Sequence, residues 1–185
     1  MAKKVIGVDI DGATADTMKI LRRIMKDEFG VDMSKTQITR YSMPGITGIK
    51  REDEIYAWKK AWRGFRKIPL EEKKIPKIIK ELRKNFEIHI VTGTSATPHQ
   101  LISWLKLKNI EYDQIYHVEG QRNKIDADVD VMIDDSHNVA EMFALKGKRA
   151  ILLQQPWNIY YGPINGVEIA RSWSEIPMMV RDLHV

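Results

Sequence analysis

The chain has 185 residues, of which 43% are hydrophobic and 30% are charged. This composition is typical of a folded globular protein, and the length suffices for one domain with a modest insertion. The absence of cysteine excludes disulfide bonds and thiolate metal sites. The net charge of +5 is compatible with anionic partners, but its Lys and Arg side chains are spread over predicted helical faces, which favours an ordinary solvated surface.

Neither a membrane span nor a secretion signal is predicted. No stretch approaches the roughly 18 to 20 apolar residues that a spanning helix needs. The first apolar run, residues 5–8, is too short for a signal peptide and leads at once into acidic residues. Together with the lack of cysteine, this predicts a cytoplasmic protein without a membrane partner.

The first half of the chain is predicted to form one strand followed by helices. Residues 4–9 read as a buried strand, and residues 14–29 carry apolar side chains with helical periodicity. Residues 32–50 are rich in turn-forming residues. Two more helices are predicted over residues 51–63 and 70–84.

The second half alternates between strands and helices. The predicted strands are residues 86–91, 114–117, 129–133, 149–153 and 167–170. The predicted helices are residues 98–108, 137–146 and 173–183.

This alternation indicates an α/β fold with a Rossmann-like parallel sheet and helices on both faces. The exception is the stretch before residue 86, where helices follow one another without a strand. We therefore predict a small helical cap, residues 15–85, inserted after the first strand. The core domain would then comprise residues 1–14 and 86–185.

Two acidic pairs lie at the ends of apolar runs that read as buried strands. Asp9 and Asp11 form the first pair, and Asp134 and Asp135 form the second. Carboxylates gathered where parallel strands end repel one another unless a cation lies among them. Oxygen ligands of this kind suit Mg²⁺, which commonly also binds a substrate phosphate.

Two further positions complete a candidate phosphate site. Thr92 and Gly93 follow the predicted strand 86–91, and hydroxyl and backbone N–H groups at a strand-to-helix turn can bind phosphate oxygens. Lys124 precedes the strand 129–133, where its ammonium group can neutralise a phosphoryl group and pair with a carboxylate. The sequence therefore predicts a metal-assisted phosphoryl-transfer site.

The order of these residues resembles the four motifs of the haloacid dehalogenase (HAD) superfamily of phosphohydrolases. The matching segments are Asp9-Ile10-Asp11-Gly12, Thr92, Lys124 and Asp134-Asp135. The set of four is specific, whereas any one motif alone is a weak signal. The resemblance implies a HAD-like core of the kind that the predicted elements describe.

Within that superfamily the chain looks most like the 5′(3′)-deoxyribonucleotidases, the cytosolic type C nucleotidases. Asp16 completes a local Asp-Gly-x-x-Ala-Asp pattern, and Lys124 precedes Asp134 by ten positions (134 − 124), a short spacing like that of this branch. Residues 155–158, Gln-Pro-Trp-Asn, are similar to a Gln-Pro-Tyr/Trp-Asn segment of its bacterial members. The resemblance spans the chain, although the cap matches only in length and helical content.

The resemblance implies a mechanism. Asp9 would be the nucleophile that becomes an aspartyl-phosphate, and Asp11 would protonate the leaving group and then deprotonate water. The implied enzyme is a Mg²⁺-dependent phosphomonoester hydrolase. Its implied substrate is a small phosphate monoester, specifically a (deoxy)nucleoside monophosphate.

The resemblance also implies how metal and phosphate are bound. Mg²⁺ would be held by the Asp9 carboxylate, the Asp11 backbone carbonyl and the Asp135 carboxylate. Asp134 would orient Lys124. The phosphate would be bound by Thr92, Gly93 and Lys124.

Some details leave the substrate open. Thr14 stands where the family usually has a bulky apolar residue, and residues 93–95, Gly-Thr-Ser, occupy a loop where many relatives have an Arg. Trp58 and Trp62 are spaced to share one helix face, where they would either stack on a nucleobase or pack within the protein.

Several alternatives to a nucleotidase are consistent with the sequence. The chain would be a HAD phosphatase of a non-nucleotide ester, or a catalytically weak HAD-fold binding protein. A phosphorylation-switched receiver domain has similar residues in a different order, which argues against it. A polynucleotide 3′-phosphatase is compatible with the basic pI of 9.3, but no aromatic and basic stripe for a long nucleic acid is apparent.

Overall fold

A single parallel sheet forms the centre of the protein. The computed structural model describes residues 3–40, 42–162 and 164–184. Within these ranges the strands are β1 (Val5–Val8), β2 (Glu87–Thr92), β3 (Gln114–His117), β4 (Val131–Asp134), β5 (Arg149–Leu153) and β6 (Val167–Ala170). Their order across the sheet is β3-β2-β1-β4-β5-β6, and all neighbours are parallel.

The strand order reverses between β1 and β4, which lie side by side at the centre of the sheet. Val8 of β1 pairs with Ile133 of β4, and the backbone N–H of Asp9 donates to the Ile133 carbonyl at 3.0 Å. The two strands therefore end at the same level. Ligands of open α/β sheets bind outside the carboxyl ends of strands at such a reversal.

Helices fill the segment between β1 and β2. They are α1 (Thr17–Phe29), α2 (Pro44–Thr47), α3 (Arg51–Arg63) and α4 (Ile75–Leu82). Short 3-10 helices cover Lys35–Gln37 and Phe65–Lys67. In the described part of this segment no strand of the sheet interrupts the helices, as the sequence predicts.

The remaining helices connect the later strands. They are α5 (Pro98–Leu107), α6 (His137–Leu145) and α7 (Ile176–Met179), with 3-10 helices at Gln121–Asp126 and Arg181–His184. The start of α5 follows from its sequence, because Thr97 accepts from the Gln100 backbone N–H at 3.3 Å and Pro98 occupies the first turn.

Two predicted helices begin later than expected because the chain forms a short pairing there. Asp16 donates its backbone N–H to Pro69, and Glu71 donates to Thr14, which keeps residues 14–16 and 69–71 extended beside each other. Helix α1 therefore starts at Thr17 rather than at residue 14. Helix α4 likewise starts at Ile75 rather than at residue 70.

The two faces of the sheet are both covered, which confirms the predicted fold class. Helices α4, α5 and α7 contribute to the apolar cluster on one face, and α6 packs against the other. A separate cluster joins α1 and α3 within the inserted segment. The division into a cap of residues 15–85 and a core stays a prediction. Across the described ranges, no helix combines the length and apolar character needed to cross a bilayer.

Candidate active site

A lysine lies between two carboxylates at the ends of the central strands. The Lys124 ammonium is 2.8 Å from Asp9 Oδ1 and 2.8 Å from Asp134 Oδ2. All three residues are at most 2% exposed. The structure thus brings together the lysine and one residue from each acidic pair, although they are far apart in the chain.

The charge state of Lys124 follows from these neighbours. Burial alone would lower the pKa of its ammonium group, because desolvation penalises the charged form. The carboxylates of Asp134 and Asp9 outweigh burial and hold the pKa above its usual value. Lys124 is therefore a permanent positive charge at the strand ends, suited to a phosphoryl group.

Asp135 is held by a neutral donor. Trp157 donates its indole N–H to Asp135 Oδ2 at 2.7 Å, while Asp135 Oδ1 is buried and has no hydrogen-bond partner within the described part of the chain. Burial raises the pKa of Asp135 well above its usual value, and the charges of Asp134 and Asp9 raise it further. A nearby positive charge would therefore stabilise the Asp135 carboxylate.

Three buried carboxylates form a candidate cation site. Asp9, Asp134 and Asp135 each present a carboxylate oxygen within 4.8 Å of the others, and all three are buried. Burial, followed by the charge of Asp9, raises the pKa of Asp134 to about 7 despite its contact with Lys124. One lysine faces three carboxylates, and a bound cation would relieve the remaining repulsion. The donor set consists of hard oxygens and fits Mg²⁺.

Asp11 accepts hydrogen bonds from the inserted segment. Its Oδ1 accepts from the Thr17 hydroxyl at 2.5 Å and from the Trp62 indole at 3.1 Å, and the Thr94 hydroxyl is a further partner. Burial raises the pKa of Asp11 to about 6, and the charge of Asp9 adds to burial while the hydrogen bonds oppose it. A carboxyl group of this pKa can exchange protons near neutral pH.

The turn at Gly12 brings the two acidic pairs into contact. Gly12 has a φ of 82°, a conformation that residues with a side chain rarely adopt. A Cβ at this position would clash with the Asp135 carboxylate and lie 3.0 Å from the Trp157 ring. The Gly12 carbonyl accepts from the Gln155 side chain at 2.9 Å.

The candidate phosphate loop follows β2. Thr92 is buried, and its hydroxyl accepts from the Thr94 backbone N–H at 3.2 Å. Gly93 passes close to the backbone of Gly120, because a Cβ at Gly93 would be 3.2 Å from the Gly120 carbonyl carbon. A side chain at position 93 would require one of the two loops to move.

Thr14, a departure from the usual family pattern, is accommodated without an unpaired hydroxyl. The residue is buried, and its Oγ1 donates to the Asp9 carbonyl at 3.1 Å and lies 3.2 Å from the Ile10 carbonyl. The hydroxyl therefore fastens the turn directly after the first strand.

A small pocket opens beside the carboxylates. Its apolar lining is Met18, Trp58 and Trp157, and its polar lining includes Asp11 and Asp135. Trp58 is only partly buried, whereas Trp62 is fully buried and bonded to Asp11. Of the two tryptophans, Trp58 is therefore the one available to a ligand.

Sequence reasoning missed four residues that contact the candidate site. These are Thr17, Trp62, Thr94 and Trp157, each of which donates a hydrogen bond to Asp11 or Asp135. Trp157 was noted only as part of the Gln-Pro-Trp-Asn segment and Trp62 only for sharing a helix face with Trp58, and neither signal indicated a contact with a carboxylate.

Solved structures with the same fold belong to HAD hydrolases and related proteins. Protein Tyrosine Kinase A from Mycobacterium tuberculosis aligns with a TM-score of 0.72 at 17% identity, covering 100% of this chain and 99% of that one. The HAD-like hydrolase SP0104 from Streptococcus pneumoniae aligns with a TM-score of 0.65 at 16% identity, covering 96% and 98%. The HAD-hydrolase YfnB from Bacillus subtilis, bound to magnesium, aligns with a TM-score of 0.63 at 13% identity, covering 97% and 99%. Such identities establish the fold alone.

A family model provides the closer assignment. No curated protein matches the chain. The model described as 5′ nucleotidase, deoxy (pyrimidine), cytosolic type C protein matches residues 3–184. The match confirms the resemblance that the four motifs and the Gln-Pro-Trp-Asn segment indicated. The chain belongs to this family of 5′ nucleotidases and is a HAD-fold phosphohydrolase.

Proposed function

We propose that the protein is a Mg²⁺-dependent 5′(3′)-deoxyribonucleotidase that hydrolyses (deoxy)nucleoside monophosphates through an aspartyl-phosphate on Asp9. The observation that carries the proposal is the position of Lys124 between Asp9 and Asp134, with Asp135 beside them. This arrangement places one fixed positive charge and a candidate cation site around the proposed nucleophile.

The first chemical step uses both residues of the first acidic pair. A carboxylate oxygen of Asp9 forms a bond to phosphorus while the bond from phosphorus to the ester oxygen breaks. Asp11 passes its proton to that oxygen, which leaves as the alcohol of the nucleoside. The raised pKa of Asp11, about 6, supports this role because the acid form persists nearer to neutral pH than it does for an ordinary aspartate.

The second step returns the enzyme to its starting state. Asp11, now ionised, takes a proton from a water molecule that attacks the phosphorus. The bond between phosphorus and Asp9 breaks, and inorganic phosphate is released. Dividing the reaction in this way replaces one difficult displacement by two easier ones.

Phosphate binding is assigned to three residues around the nucleophile. Lys124 supplies a buried positive charge, and the Thr92 hydroxyl and Gly93 backbone N–H supply hydrogen bonds. Gly93 has no side chain, so none of its own atoms beyond the backbone covers its N–H.

Mg²⁺ is assigned to Asp9, Asp135 and the Asp11 backbone carbonyl. Asp134 is assigned the orientation of Lys124, to which it is already bonded. A bound Mg²⁺ would neutralise charge on the phosphoryl oxygens as the reaction proceeds. The unpartnered Oδ1 of Asp135 supports its assignment as a direct ligand.

The leaving group is assigned to the pocket lined by Met18, Trp58 and Trp157. Aromatic side chains stack on a nucleobase. Met18 and Trp58 both come from residues 15–85, so the proposed cap would select the leaving group and exclude water. Membership of a family of cytosolic 5′ nucleotidases supports a nucleotide substrate and a cytosolic location, which we also propose.

The experiment is phosphate release from a panel of 5′- and 3′-(deoxy)nucleotides and small sugar phosphates. Each substrate is tested with Mg²⁺, with EDTA and with Asp9→Asn, and Asp128→Asn serves as a control because Asp128 is exposed. We expect Mg²⁺-dependent turnover of nucleotides that Asp9→Asn abolishes and Asp128→Asn retains. Turnover restricted to sugar phosphates would contradict the nucleotide substrate. No turnover by folded protein would indicate a binding role instead.

A further inference from the structure

The loop after β5 is bonded to the turn that follows the first acidic pair and to Asp135 of the second. Gln155 donates to the Gly12 carbonyl at 2.9 Å, and Asn158 donates to the Asp135 carbonyl at 2.9 Å and to the Leu153 carbonyl at 2.7 Å. Trp157, between them, donates to the Asp135 side chain. Residues 155–158 therefore attach the backbone of the two strand-end turns to each other.

Trp157 is itself held in a fixed position. It is 3% exposed and belongs to the apolar cluster of α1 and α3. The Lys35 ammonium lies 5.5 Å from the centroid of its ring, a cation–π distance. The Trp157 ring also lies close to the turn at Gly12. An indole packed in this way directs its N–H with little freedom.

The two oxygens of Asp135 have different surroundings. Oδ2 accepts the Trp157 N–H at 2.7 Å, whereas Oδ1 is buried and has no hydrogen-bond partner among residues 3–40, 42–162 and 164–184. Leaving a buried carboxylate oxygen unpaired costs free energy, which a ligand in contact with Oδ1 would offset. The indole is neutral and does not cancel the negative charge of the carboxylate.

We propose that Trp157 is a positioning residue for the metal site, an inference that rests on the proposed function. Its N–H holds Oδ2 of Asp135, which would leave Oδ1 free to contact a cation bound by Asp9 and Asp135. Groups that hydrogen-bond to ligating carboxylates orient them, and losing such a group typically weakens metal binding by about 10- to 100-fold. Because Trp157 also lines the leaving-group pocket, one side chain contacts both the pocket and the metal ligand.

The test is direct measurement of Mg²⁺ binding by calorimetry on the free protein, without substrate. Trp157→Phe keeps an aromatic ring beside Lys35 and removes the N–H donor. We expect its Mg²⁺ affinity to fall by about tenfold or more. Trp157→His, whose smaller ring retains an N–H donor, should bind Mg²⁺ better than the Phe variant does.

Trp173→Phe is the matched control. Trp173 is also buried, and its indole donates over the same distance, 2.7 Å, but to the Ala13 carbonyl rather than to a carboxylate. Its replacement removes an equivalent hydrogen bond, so we expect a similar loss of thermal stability and an unchanged Mg²⁺ affinity. Equal Mg²⁺ affinity of Trp157→Phe and wild type would overturn the inference, as would equal weakening in both Phe variants.

The same measurements separate this inference from the proposed function. Wild-type protein that binds Mg²⁺ more tightly than Trp157→Phe but hydrolyses no nucleotide would support the positioning role and contradict the nucleotidase. Mg²⁺-dependent hydrolysis with unchanged Mg²⁺ affinity in Trp157→Phe would support the nucleotidase and contradict the positioning role.

Discussion

The two sides of the site hold their carboxylates by different means. Asp9 and Asp134 share the ammonium group of Lys124, whereas Asp11 and Asp135 are held by the neutral indoles of Trp62 and Trp157. An ammonium group offsets the negative charge of a carboxylate, whereas a neutral indole only orients the carboxylate. The comparison teaches that the indole-bound carboxylates receive no positive charge from their donors, although burial also raises the pKa of Asp134, which contacts Lys124. We infer that a proton stabilises Asp11 and that a metal ion stabilises Asp135.

The largest expected effect separates these two indole-bound residues. Asp11→Asn removes the proposed acid but keeps the backbone carbonyl assigned to Mg²⁺, so kcat should fall by about 10²- to 10⁴-fold while Mg²⁺ affinity is retained. Asp135→Asn should instead lose Mg²⁺ affinity. Steady-state kinetics and calorimetry on both variants check the distinction, and identical behaviour of the two variants would contradict it.

The second-largest effect is expected for the lysine that Asp9 and Asp134 share. Lys124→Met leaves the carboxylates of Asp9 and Asp134 buried without their counter-charge, so the free energy of unfolding should fall by about 3–5 kcal/mol. Urea unfolding in EDTA measures the change, with the exposed Lys106→Met as control, for which a change below about 0.5 kcal/mol is expected. A Lys124 variant as stable as the control would show that the carboxylates are neutral without the lysine.

Glu71 extends the comparison because one of its oxygens contacts an ammonium group and the other does not. Oε2 is 2.7 Å from the Lys35 ammonium, while Oε1 is buried and has no hydrogen-bond partner among the described residues. Burial raises its pKa to about 7, and the charge of Asp16 adds to burial, whereas Lys35 and Gln155 oppose it. Native Glu71 thus binds its proton more tightly than the unfolded chain does.

Protein stability should therefore fall as the pH rises from about 4.5 to about 7, by at most about 3 kcal/mol from this group. The contribution is fully present below pH 4.5 and is lost by pH 7. Unfolding free energies at pH 4, 5, 7 and 8 for wild type and Glu71→Gln check it, because Glu71→Gln lacks this contribution. Exposed Glu52→Gln is the control, and equal pH dependence in all three proteins would refute the prediction.

The smallest effect is expected for Trp62→Phe. It removes one of the donors to Asp11, so kcat should fall by roughly tenfold, as the loss of one hydrogen bond of about 1–1.5 kcal/mol implies. Trp104→Phe is the control, since the Trp104 indole is equally buried but donates to the Ile68 carbonyl at 3.0 Å. A similar loss of kcat in both variants would assign the effect to packing.

The strands and the charged residues of the site were predictable because their signals are local. Apolar runs ending in Asp9 and Asp134 predict buried strands, and parallel strands bring their ends to one edge. The position of Lys124 followed from motif order. The strand inferences need only the chain on either side of each residue, whereas the order of the motifs spans residues 9–135.

The indole contacts were not predictable from the sequence because they depend on tertiary placement. Trp62 lies 51 positions from Asp11, and helical periodicity gives its face but not its partner. The starts of α1 and α4 were placed too early because the pairing of Ala15 with Leu70 overrides local helix propensity. Trp157 belonged to a recognised segment, but its partner Asp135 could be identified only from the fold.

The pairing of Ala15 with Leu70 also has a consequence for how the sequence can diversify. The pairing holds the two ends of the intervening segment side by side, so the free energy of closing that segment depends only weakly on its length, by about 0.6 kcal/mol for each doubling. Insertions and deletions in exposed turns between these two residues are therefore thermodynamically inexpensive, whereas Thr17 and Trp62, which lie between them and donate to Asp11, connect the segment to the strand ends. The length of the segment can thus vary while these contacts are kept.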